Sequence, residues 1–194
     1  MVPILIATLP MSMVLMIVGM SVAREQELGT FEQLLVSPLQ PLEIIVGKAV
    51  PGLMVGLAQC AIMTLIVVYG FGIQITGSVL VLFAGLTVFL ISVVGVALFI
   101  SSLVSNQQQA MMGIMVTMMP VMMLSGFSSP VQNMPSWLQP LASINPLTHM
   151  LVIIRGVFLR DMPFWLVAQR IWPMALVAVV TMTTAAWMFR RKVA

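Results

Sequence analysis

Few residues in this sequence could do chemistry, and most of its carboxylates lie together. Glu25, Glu27, Glu32 and Glu43 fall within residues 23–48, and Asp161 is the remaining acid. Acid–base catalysis inside a membrane would need such groups within an apolar run, and these four lie between two runs. No phosphate loop is present: Gly47-Lys48 has the terminal pair, but Leu42 stands where the first glycine belongs and Ala49 where the hydroxyl belongs. HExxH and GxSxG are also missing, which argues against an intramembrane enzyme. Cys60 is alone, so an intrachain disulfide and a cysteine metal cluster are excluded, and it reads as a small hydrophobe. His149 is the single histidine, read as structural or, alternatively, as a proton relay. No cofactor is expected.

The elements around these groups follow from composition. Of 194 residues, 61% are hydrophobic and only 7% charged, against about 25% charged in a soluble domain. Such a chain cannot cover its surface in water and needs lipid as solvent. Residues 1–23, 49–69, 78–101, 110–127 and 171–189 contain no Lys, Arg, Asp or Glu. About 20 apolar residues cross the hydrocarbon core, so the expected fold is all-α, a polytopic bundle of about five spans, the fourth a little short. The first run lacks the basic flank and cleavage site of a signal peptide. The net charge of +3 comes from scattered residues and does not indicate nucleic acid.

Arg24, Lys48, Arg190, Arg191 and Lys192 fall on one side of a five-span chain, and Arg155, Arg160 and Arg170 on the other. The first set is expected to face the cytoplasm. Tyr69, Phe71, Trp165, Trp172 and Trp187 then lie at span ends, where aromatic residues favour the headgroup zone. This orientation leaves Met1 outside, in a run with no charged flank. The chain is therefore expected to be the C-terminal portion of a longer protein, lacking at least one upstream span.

Residues 23–48 read as a short helix between two spans. Gly29 can end the first helix, Thr30 and Gln33 form a capping box, and Ser37-Pro38 stops the new helix. Phe31, Leu34 and Leu35 share one face. A helix resting on anionic lipid is usually basic, whereas this one carries acids and better suits a groove on a basic protein partner.

Residues 128–170 are irregular, with Pro130, Pro135, Pro140 and Pro146. Pro135–Leu141 could form a short helix. The apolar stretch 147–159 is too short to span and carries Arg155, so a re-entrant or interfacial hairpin on the outer face is expected. Arg155 and Asp161 are candidates for an ion pair across it. In the fourth span Met111, Met115, Met118 and Met122 repeat at one helical face, either lining a substrate path or packing generically. Pro120 should kink that helix or free a carbonyl. Gly52 and Gly56 form a GxxxG pair suited to helix packing.

The segment REQELGTFEQLLVSPLQPLEIIVGK resembles the cytoplasmic loop of ABC-2 type exporter permeases. Further matches are SNQQQAM at 105–111, LSGFSSPVQNMPSWLQPLASINPLTHML at 124–151 and IIRGVFLRD at 153–161. The resemblance covers essentially the whole of residues 1–194, as one transmembrane domain. Members normally carry a further N-terminal span and, in this branch, a large extracytoplasmic domain, which agrees with the expectation that these residues are the C-terminal portion of a longer protein. The resemblance implies a multi-pass permease of the inner (plasma) membrane that is not itself an enzyme. It implies pairing with a second permease half, identical or different, and a separate ATP-binding subunit docked below. The coupling residues would be Glu25, Glu27, Gly29, Thr30, Phe31, Glu32, Leu34 and Leu35, and the first and fourth spans would line the path. The alternative is a membrane scaffold or assembly subunit that merely docks a cytoplasmic partner.

Overall fold

The computed structural model describes residues 2–29, 41–127, 130–159 and 162–193, and within them the chain is all helix and connection, with no strand. A 3-10 turn at Val2–Ile4 leads into α1, Leu5–Glu27. It ends because Gly29 takes the left-handed conformation (φ 71°), and the Leu28 and Gly29 amides donate back to the Arg24 and Gln26 carbonyls. α2 spans Pro41–Leu65 and continues through a π turn at Ile66–Gly70. α3 spans Val79–Leu103 and α4 Gln107–Leu124. Two short helices follow, α5 at Gln139–Ile144 and α6 at Pro146–Leu159, and then α7 at Phe164–Val193.

Among the described residues, four segments are long and apolar enough to cross a membrane: Val2–Glu27, Glu43–Gly70, Val79–Leu103 and Trp165–Met188. The expected short fourth span is α4. Its 18 residues reach about 27 Å at the α-helical rise, and its first turn is Gln107, Gln108 and Gln109. The last helix starts earlier than its charge-free run, at Phe164, and carries Arg170.

α3 is the centre of the bundle, packing on α1, α2, α6 and α7, while α1 also packs on α2 and α4. Leu82, Leu86, Phe89, Leu90, Ala97 and Leu98 of α3 are fully buried. Helices in lipid gain little from apolar burial against one another, so close fit and hydrogen bonds choose the contacts. Ser92 Oγ donates to the Met174 carbonyl at 2.6 Å, tying α3 to α7, and Ser101 Oγ donates to the Gly19 carbonyl at 2.7 Å, tying α3 to α1. The GxxxG pair serves the α1–α2 crossing. A Cβ on Gly52 would stand 2.2 Å from Val18 Cγ2, and one on Gly56 would stand 2.7 Å from Val14 Cγ2.

Residues 131–159 contain a helical hairpin packed against the bundle. The first short helix forms at Gln139–Ile144 instead of Pro135–Leu141; Pro135 opens a turn, with the Leu138 amide on its carbonyl, and the helix follows that turn. Asn145 caps α6, its Oδ1 accepting from the Leu147 amide at 3.0 Å, with Pro146 at the first helical position. α6 has 14 residues and buries Leu147, His149, Met150, Ile153, Ile154 and Val157.

A helix this short survives because neighbours satisfy free backbone groups. The Val157 carbonyl accepts from the Gly77 amide at 2.9 Å and from Thr76 Oγ1 at 3.0 Å. The hairpin in turn closes α4, whose last carbonyls have no intrahelical partner. Asn145 Nδ2 donates to the Val121 carbonyl at 2.7 Å, Thr148 Oγ1 to Leu124 at 3.4 Å, and Arg155 Nη2 to Gly126 at 3.1 Å. α4 remains one helix through Pro120. The expected Arg155–Asp161 pair lies outside the described residues at Asp161, and the Arg155 guanidinium binds a backbone carbonyl.

Candidate coupling end and permeation face

The ends of α1, α2 and α4 meet at the pole opposite the hairpin, and the acidic residues of α1 sit at that junction. Glu25 pairs with the Lys48 ammonium on α2, an ion pair in which the Lys48 side chain is only 10% exposed and that of Glu25 31%. Glu27 reaches the other way. One of its oxygens accepts from the Gln107 amide at 3.1 Å and from Gln107 Nε2 at 3.0 Å. That amide belongs to the first turn of α4, where backbone N–H groups lack helical partners and a carboxylate is favoured. The turn itself is built locally: Asn106 Oδ1 accepts from the Gln109 amide at 2.8 Å, and Gln109 Oε1 accepts from the Ser105 amide at 3.1 Å.

The last two described turns of α1 are thereby held to both neighbours. Between α1 and the start of α4 lies a cleft of about 520 Å³, lined by Met20, Arg24, Glu25, Leu28 and Gln107 among others. Gly29 follows immediately, exposed. Thr30, Phe31, Glu32, Leu34 and Leu35 lie outside the described residues. The structure thus joins Glu25 and Glu27 to Lys48 and Gln107, partners that the sequence reading did not name. The polar run SNQQQ between two apolar helices was the available signal for Gln107, since a glutamine-rich first turn needs partners at a membrane boundary.

The methionines of α4 divide between two faces. Met118 and Met122 are half-buried and packed on the core, whereas Met111 and Met115 are exposed. The open stripe runs through Met112, Met115, Val116, Met119 and Met123, with Val116, Met119 and Met123 each at least 70% exposed. α1 packs beside α4 and opens Leu9, Met13, Met16 and Ile17. The two neighbouring helices leave an apolar, thioether-rich surface of flexible side chains. Cys60 is buried, with its Sγ 3.5 Å from the Ile6 carbonyl. No group of three or more His, Cys, Asp or Glu suited to a metal ion occurs among the described residues.

The model of the ABC-2 type transporter family matches residues 2–159. The probable multidrug ABC transporter permease YbhR of Escherichia coli is 44% identical over 192 residues, covering 99% of this chain and 52% of the relative. The probable multidrug ABC transporter permease YbhS of the same species is 32% identical over 139 residues, 71% of this chain and 37% of that protein. The inner membrane transport permease YhhJ is 28% identical over 160 residues, 82% of this chain and 42% of that protein. The chain spans about half the length, or less, of these curated relatives.

Proposed function

This chain belongs to the ABC-2 type transporter family, and from that premise we propose that it is the permease subunit of an ATP-driven exporter whose ATPase is a separate chain. One observation carries the coupling part of the reading. Glu25 and Glu27, next to the segment 30–40, are bonded to α2 and α4 respectively. A push on that segment from a cytoplasmic partner would reach α1, α2 and α4 together. α4 also bears the open methionine stripe, so the same bonds connect the docking segment to a candidate path.

A second permease half, identical or different, would complete the path against the exposed faces of α1 and α4. The relatives YbhR and YbhS are named probable multidrug permeases, and a methionine-rich surface suits apolar compounds of varied shape. The location that follows is the inner membrane, with residues 24–48 in the cytoplasm.

The test is docking. Fully burying one large apolar side chain contributes roughly 1.5–3 kcal/mol. Phe31→Ala with Leu35→Ala should therefore reduce co-purification of the ATP-binding subunit, while the permease still inserts. Glu32→Lys should weaken docking in a basic groove and strengthen contact with anionic lipid. Retention of the ATP-binding subunit and unchanged ATP turnover in both variants would remove the coupling role.

A further inference from the structure

At the opposite pole, a cleft of about 730 Å³ lies between the hairpin and α7. We propose that it binds an amphiphile with an acidic, hydroxyl-bearing phosphate headgroup, of the phosphatidylglycerol type. This goes beyond the coupling reading and does not depend on it.

The lining is sorted along α7. Gln169 and Arg170 lie toward the N-terminal end of that helix, with Ser143 and His149 from the hairpin. Trp172, Leu176 and Val177 continue the wall over the next two turns, with Ile144 also lining it. From Arg170 to Val177 the helix rises about 10 Å. A head at Arg170 and a chain laid along Trp172 and Leu176 match this order of polar, then apolar. The volume falls within the roughly 300–1,000 Å³ of small-molecule sites.

The charge of the head follows from its surroundings. Arg170 is exposed and forms no ion pair among the described residues. The described carboxylates, Glu25, Glu27 and Glu43, belong to α1 and the start of α2, at the other pole. Arg155 is already donating to the Gly126 carbonyl. Arg170 is thus a planar cation suited to a phosphate.

The hydroxyl follows from His149, which is 6% exposed. Its Nε2 lies 2.7 Å from the Ser143 carbonyl, which can only accept, so Nε2 carries the proton. Nδ1 is then an acceptor, and it is buried with no partner. Buried polar atoms are nearly always paired, and a small shift of the ring toward the cleft on binding would bring Nδ1 to a ligand hydroxyl that supplies the missing donor.

The test is native mass spectrometry of the full chain extracted from nanodiscs of equal parts phosphatidylglycerol and phosphatidylcholine. The wild type should retain phosphatidylglycerol preferentially. Arg170→Gln should lower that retention roughly tenfold, the low end for one charge-assisted hydrogen bond, and Arg170→Lys should keep most of it. Leu176→Trp should block the chain's place and lower retention without altering charge. Soluble glycerol phosphate at millimolar concentration should not displace the lipid. Three results would overturn the site: no lipid preference in the wild type, as when another helix covers the cleft; an unchanged preference in Arg170→Gln; or displacement by glycerol phosphate, which would make it a free-phosphate site.

Discussion

Gln107 donates both its backbone amide and its side-chain amide to a single oxygen of Glu27, at 3.1 and 3.0 Å, across 80 residues of sequence. The contact joins the end of α1 to the first turn of α4 without burying either group. It therefore adds little to stability and is suited to relaying position. Gln107→Leu removes the side-chain donor, and Glu27→Gln removes the charge that favours the α4 amide. Each should leave thermal stability in detergent nearly unchanged while lowering substrate-stimulated ATP turnover in the assembled transporter. Normal turnover in both variants would sink the relay.

The α1–α2 crossing offers a sharper stability test. Gly52→Ala places a Cβ about 2.2 Å from Val18 Cγ2, and a valine in a helix has little rotamer freedom to escape. We expect a cost of about 1–3 kcal/mol, seen as a lower melting temperature, with recovery on adding Val18→Ala. Gly47→Ala is the control, because nothing lies within 4 Å of its would-be Cβ. A neutral Gly52→Ala would mean that this crossing is looser than described.

Asn145 holds the tip of the hairpin to the end of α4. Asn145→Ala strands the Val121 carbonyl and the Leu147 amide, both bonded to this 7%-exposed side chain. The expected loss is about 1–3 kcal/mol, from leaving buried groups unpaired. Asn145→Asp should be no better, since it keeps the acceptor for Leu147 but turns a carboxyl oxygen toward the Val121 carbonyl. Melting temperatures of the two variants against wild type decide the matter.

Two methionine pairs separate lining from packing. Met115→Leu with Met119→Leu alters the open face, whereas Met118→Leu with Met122→Leu alters the face packed on the core. Such swaps usually cost under about 1.5 kcal/mol, so both double variants should assemble. The open pair should change the profile of apolar compounds exported, measured as dye efflux from cells. The packed pair should shift melting temperature alone. The converse pattern would end the lining reading.

Orientation can be read by thiol labelling. Ser37→Cys should resist a membrane-impermeant thiol reagent added to intact cells, and Asn133→Cys should react. Labelling at Ser37→Cys alone would invert the topology.

What the sequence determined by itself was local. Charge-free runs marked the crossing helices because each charge in hydrocarbon is costly, and Gly29 marked the end of α1 because few other residues take its backbone conformation. The stretch 147–159 was legible as too short to span. Tertiary structure decided which faces meet. α3 and α4 are apolar nearly all round, so their sequences hold no polar stripe to mark an outward side. Packing alone turned Met118 and Met122 inward and left Met115 and Met119 open. Lys48 and Gln107 could not be assigned to Glu25 and Glu27 from spacing, since the partners are 23 and 80 residues apart. The capping of α4 by Asn145 and Thr148 was likewise invisible. An unpaired carbonyl leaves no trace in its own side chain, and in lipid its partner must come from whatever the fold brings alongside.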